Sequence, residues 1–154
     1  DEQALMKKNG VFIAHSPESN MNLASGVAPV HKFLDDGLRV GLATDVAGGS
    51  HESMLRAMTP AIQASKLRWR LYDQEVKPLP FERAFYLATM GGGAFFGTVG
   101  SFLEGYEFDA VVLDDALLDH PQELSVRARL ERAAYLADDR NLTAKFVAGQ
   151  KILG

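Results

Sequence analysis

The 154-residue sequence contains no cysteine. Disulfide staples and thiolate ligands are therefore excluded, and any metal held here would be bound by oxygen and imidazole. Positive charge is sparse as well, since 16 basic against 20 acidic residues leave a formal net charge of −4. The basic residues are scattered singly, without the stripe that neutralises phosphates, which argues against nucleic-acid binding. No apolar run approaches the roughly 20 residues that span a bilayer. The opening Asp1-Glu2-Gln3 also lacks the basic and apolar regions of a signal peptide, so no membrane association and a cytoplasmic location are expected. Repeats of solenoid period, low-complexity tracts and a phosphate-cradling glycine motif are all missing.

What is present is the balance of a soluble globular chain, 47% hydrophobic and 23% charged, which is too apolar for disorder. The length suits one ordinary domain. The first residue is not Met, however, and the chain opens in what reads as the middle of a helix, so a piece of a longer polypeptide is expected.

Along the chain, residues 1–8 read as a helix end with Ala4, Leu5 and Met6 on its apolar side, stopped by Asn9-Gly10. Val11-Phe12-Ile13-Ala14 is a short continuous apolar run, as expected of a strand buried on both faces in a parallel sheet, and it ends at His15. A polar, glycine-containing loop over residues 16–26 leads to a short helix, with Pro29 in its first turn and Gly37 at its exit. A second strand over residues 38–43 delivers Thr44-Asp45. Apolar residues then recur at helical spacing over residues 51–72, where Pro60 predicts a kink. Another helix covers residues 81–90, and Gly91-Gly92-Gly93 either ends it or lets it pack closely. A strand at residues 110–113, a helix over residues 123–136 and a hairpin across Ala148-Gly149-Gln150 complete the chain. Alternating strand, loop and helix imply parallel βα units, and two such units are too few to close a sheet.

In parallel α/β architectures the ligand side is the C-terminal end of the strands. His15 and Asp45 both stand there. A carboxylate at a strand tip is a good hard ligand for a divalent ion and can take a proton from water on that ion. It can equally cap the helix that follows, and spacing does not decide between the two. His15 reads as a ligand, an organiser or a packed turn histidine. Ser16, Ser19, Asn20 and Asn22 could bind a substrate or simply satisfy a tight loop. His31, His51 and His120 read as structural or solvent-facing. The pairs Phe85-Tyr86 and Phe95-Phe96 read as core packing rather than a stacking platform.

Several segments resemble a known family. His15-Ser16-Pro17-Glu18-Ser19-Asn20, followed by Leu23-Ala24-Ser25-Gly26, looks like the loop after the seventh barrel strand of amidohydrolase-superfamily deaminases. Gly41-Leu42-Ala43-Thr44-Asp45 looks like their eighth strand with its terminal aspartate. Thr44-Asp45-Val46-Ala47-Gly48-Gly49 and Leu136-Ala137-Asp138-Asp139-Arg140-Asn141 are similar to the guanine deaminase branch in particular. The resemblance implies that residues 1–100 are the C-terminal part of a (β/α)8 TIM-type barrel, its last two βα units. Residues 101–154 would then contribute a helix and strands to a small β-sandwich. It further implies a Zn2+-dependent hydrolysis of guanine or a related purine to xanthine and ammonia. Asp45 would be both metal ligand and proton carrier, and His15, Ser16 and Asn20 substrate-side or organising residues.

Departures from the family pattern carry equal weight. The family's His-x-His pair, its further ligand histidines and its proton-shuttling glutamate find no match here. The expectation is a chain inactive alone, dependent on the missing N-terminal part of the same polypeptide, and a homodimer. Alternatives are another deaminase or hydrolase of the superfamily acting on an adenosine-like or triazine-like ring, or a non-catalytic assembly module that pairs through open strand edges.

Overall fold

The computed structural model describes residues 2–118 and 120–154. Helix α1 (Glu2–Lys8) precedes strand β1 (Phe12–His15), and α2 (Pro17–Asn22) and α3 (Val30–Asp35) lead to strand β2 (Arg39–Leu42). The long α4 (Met54–Leu71) is followed by α5 (Phe81–Tyr86), strand β3 (Ala110–Leu113) and α6 (Val126–Leu136). Strands β4 (Leu142–Val147) and β5 (Gln150–Leu153) end the chain.

Two sheets result. β1 and β2 are parallel, in register from Phe12 opposite Arg39 to His15 opposite Leu42. The Ala43 N–H donates to the His15 carbonyl at 2.9 Å, which levels the C-terminal ends of the two strands. β3, β4 and β5 form an antiparallel sheet in that order. Its last hairpin turns at Ala148 and Gly149, both at positive φ, the geometry that suits a tight two-residue connection.

The core lies between β2, α4 and α5. Val40 and Leu42 from β2 meet Ala57, Met58, Ala61 and Ile62 from α4, with Phe81 and Ala84 from α5 and Leu87 just beyond it; Val30 and Ala134 close its margins. α4 runs unbroken through Pro60. Proline costs that helix the bond to the Arg56 carbonyl, but the buried stripe on either side of it keeps the helix in place. Ser65 adds a polar tie within this core, donating to the Ile62 carbonyl and accepting the Leu79 N–H, both at 2.8 Å.

Several expectations need correction. The segment read as a loop after His15 holds α2, with Pro17 in its first turn, where a proline's missing N–H is harmless. β1 is not buried on both faces: Ala14 is exposed, because β2 flanks the strand on one side only. Of the α1 residues, Met6 packs against the core while Leu5 is exposed. The helix over residues 81–90 does not stay α-helical, and Leu87–Gly91 forms a π-helical turn. The three glycines pack closely rather than ending it. A Cβ on Gly41 would come within 2.7 Å of the Gly92 Cα, and one on Gly91 within 3.0 Å of the Val40 carbonyl, so Gly41 and Gly91 let this helix lie on β2. Phe95 and Phe96 are exposed on the following turn, where Phe95 meets the Phe12 ring edge-on at 5.2 Å between centroids.

Candidate functional site

The levelled ends of β1 and β2 bring their following loops side by side. His15 ends β1 with a side chain only 7% exposed. Burial pushes its imidazole down to about 4, so the ring is neutral at neutral pH. Its Nε2 is buried with no hydrogen-bond partner among the described residues.

Asp45 lies three residues beyond β2 on an exposed loop with a left-handed backbone, φ 48°. Ala47 is at φ 98°, a second conformation that L residues avoid. The loop is pinned by Gly49, whose N–H donates to the Asp45 carbonyl at 2.6 Å and whose carbonyl accepts from the Ala47 N–H at 3.2 Å. Non-glycine residues keep such backbones only where surrounding contacts over-determine them. Asp45 does not cap the following helix. That role falls to Ser53, whose hydroxyl accepts the Arg56 N–H at 3.3 Å.

Contacts from α2 supply the surrounding hold. Ser19, 5% exposed, donates from Oγ to Asp45 Oδ2 at 2.6 Å. Asn22 donates from Nδ2 to the Gly48 carbonyl at 2.9 Å. Glu18 accepts from the Ser50 hydroxyl at 2.5 Å and the Ser50 N–H at 3.2 Å, and its carboxylate lies 3.2 Å from His51 Nε2. These bonds, the Ser50 hydroxyl first, hold the Glu18 carboxyl below its ordinary range. Three side chains of one short helix thus clamp the loop that presents Asp45.

Of the residues singled out in the sequence, His15, Ser16 and Asn20 flank this clamp. Ser16 opens α2 without a side-chain capping bond, and the Asn20 carbonyl accepts the Ser25 N–H at 2.8 Å. The partners that sequence reasoning missed are Glu18 and Ser50, together with the particular contacts of Ser19 with Asp45, Asn22 with Gly48 and His51 with Glu18. A helix opened by Pro17 sets residues 18, 19 and 22 on neighbouring positions of one face, and that spacing was the available signal. His31 instead sits 3.0 Å from the Lys77 carbonyl, away from the clamp. Asp138 and Asn141 form a capping box, and the Asn141 side-chain amide donates to the Asp114 carbonyl at 2.8 Å, so this cluster ties the start of β4 to the end of β3.

As a metal donor the Asp45 carboxylate fits: it is a hard oxygen ligand just beyond a strand end, and among the described residues Ser19 engages its Oδ2. The described residues hold no group of three or more His, Asp or Glu side chains able to bind a metal.

Comparison with known proteins yields a consistent set. Residues 2–152 match the amidohydrolase family. A guanine deaminase of Dictyostelium discoideum is 33% identical over 159 residues, covering 99% of this chain and 35% of the relative. Among solved structures, a guanine deaminase from C. acetobutylicum with guanine bound in its active site superposes with a TM-score of 0.93. It is 45% identical and covers 99% of this chain and 36% of its own. An adenosine deaminase from Xanthomonas campestris with bound zinc superposes with a TM-score of 0.80 at 26% identity, over 99% of this chain and 34% of its own. The chain spans about a third of the length of the curated relatives it matches.

Proposed function

Because the chain belongs to the amidohydrolase family, we propose that it supplies the C-terminal third of a zinc-dependent guanine deaminase, in which water and guanine give xanthine and ammonia. The observation that carries this reading is the clamped Asp45 carboxylate, at a strand end, in a chain that aligns end to end with guanine deaminases. In this arrangement β1 and β2 are the last two strands of a (β/α)8 barrel, residues 1–100 belong to it, and residues 101–154 contribute to a small β-sandwich. The preceding polypeptide completes the barrel and brings the histidine ligands and a proton-carrying glutamate.

Asp45 would hold the zinc through Oδ1, the oxygen that Ser19 leaves open. Zinc, when bound, supplies an activated water at neutral pH. With that group in place, the Asp45 carboxylate would be positioned to take a proton from water and pass it to the departing amino group, so that guanine and water give xanthine and ammonia. His15, neutral and with its Nε2 unpartnered among the described residues, is the organising residue on the substrate side, with Ser16 and Asn20 beside it. The described chain alone is inactive, since one carboxylate cannot hold zinc without partners. We further assign it to a cytoplasmic homodimer. No described helix is long and apolar enough to cross a membrane.

A second reading, an adenosine-like substrate, draws on the zinc-containing adenosine deaminase. The higher identity to the guanine enzyme, 45% against 26%, favours guanine. The deciding experiment uses the whole polypeptide that carries this chain, loaded with zinc. Ammonia release from guanine is expected, with little from adenosine. Asp45→Ala should lower it beyond the roughly 100-fold that loss of a ligand's hydrogen-bond partner costs, and bound zinc should fall with it. Wild-type turnover and zinc content in that variant would falsify the assignment of Asp45.

A further inference from the structure

We propose that Ser19 is the positioning residue of the Asp45 carboxylate: its buried hydroxyl engages Oδ2, fixes the plane of the carboxyl group and leaves Oδ1 as a single-oxygen ligand. The inference rests on the reading of Asp45 as a zinc ligand and adds to it a residue from helix α2.

Four observations meet on this bond. Ser19 is buried whereas Asp45 is exposed, so the donor is held by packing and the acceptor by the donor. The 2.6 Å separation is that of a charge-assisted O–H to carboxylate bond. Gly48 makes room for it, because a Cβ there would fall 2.5 Å from Ser19 Oγ and 2.9 Å from Asp45 Oδ2. Finally, the bonds from Asn22 to the Gly48 carbonyl and from Ser50 to Glu18 hold the Asp45 loop, with its left-handed backbone, against α2 at the distance the contact needs. A freely turning carboxylate could offer a metal either oxygen or both. With Oδ2 committed, the ligand geometry is set before the metal arrives, and partners of this kind fix ligand orientation and affinity.

The test compares Ser19→Ala, Ser19→Thr, Gly48→Ala and Asp45→Ala in the zinc-loaded full polypeptide. It measures kcat and KM for guanine, zinc retention against a competing chelator, and the visible spectrum of the cobalt-substituted protein. Ser19→Ala should lower kcat and zinc retention by about 10–100-fold, leave KM within about twofold and alter the cobalt spectrum. Ser19→Thr, which keeps the hydroxyl, should restore most of both. Gly48→Ala should reproduce the Ser19→Ala spectrum with the serine intact, which covers the case in which Ser19→Ala folds poorly. Parental zinc retention and kcat in Ser19→Ala, or equal losses in Ser19→Ala and Ser19→Thr, would overturn the role of the hydroxyl. If Asp45→Ala keeps its zinc, the underlying assignment fails instead. Loss in Asp45→Ala together with a silent Ser19→Ala removes the Ser19 proposal alone.

Discussion

The parallel pair β1–β2 and the antiparallel sheet β3–β5 solve different problems. β2 is buried along three of its four residues and carries the core of the molecule, whereas no residue of β5 is buried and Val111 and Val112 of β3 stay open to solvent. Polar chemistry divides the same way. At the strand ends of β1 and β2, a histidine and a serine are buried and a carboxylate is clamped from across the loop. Around the antiparallel sheet, the buried Asn141 ties β3 to β4, and the ion pairs are exposed ones such as Arg129 with Asp115 and Arg140 with Asp138, of the kind that contributes little to stability. The first region is built to hold a geometry. The second presents apolar surface, including Ile152 at 57% exposure, that the proposed sandwich would cover with the preceding polypeptide.

Each half of this contrast can be tested by substitution. Leu87 is fully buried between β2 and α4, and Leu87→Ala is expected to cost about 2–5 kcal/mol in chemical denaturation of the full polypeptide. A loss below 1 kcal/mol would mean that the core does not depend on this junction. The buried imidazole gives the next effect. Above about pH 6.5 His15 is neutral folded or unfolded, and its contribution to stability is fully present. As pH falls towards 4 the unfolded chain binds a proton that the folded one refuses, so stability is lost through that window. Between pH 7 and pH 4.5 this amounts to about 2–3 kcal/mol, and it should be missing from His15→Gln. The same pH slope in both proteins would show that the loss arises elsewhere. The smallest effect belongs to the antiparallel sheet. Ile152→Ala should cost about 1 kcal/mol if the preceding polypeptide covers it, and a change within about 0.5 kcal/mol would leave that surface open.

Much of the first region could be read from residue order. Apolar runs at residues 11–14 and 38–43, each ended by a polar group and separated by glycine and proline stops, located β1, β2 and the tips carrying His15 and Asp45. The hairpin declared itself through Ala148-Gly149. Other features have no local signature. A π turn at Leu87–Gly91 differs from an α turn by one residue per hydrogen bond, which composition does not encode. α2 was masked because Ser, Asn and Glu favour loops as readily as a helix end. Whether Asp45 caps the following helix was open because the answer depends on Ser19, 26 residues away, engaging its carboxylate and on Ser53 taking the cap. Asp45 gained its significance from the motif around it, and its orientation only from the fold.

The clamp also depends on the pairing beneath it. Its bonds join residues 26 to 32 positions apart, so each closes a long loop, and the β1–β2 register is what carries α2 alongside the residues it holds. Without those bonds nothing in the local sequence compels Asp45 or Ala47 into a left-handed backbone. The clamped end is thus only as well defined as its scaffold, and an error in strand pairing would leave Asp45 on a loose and unaimed loop.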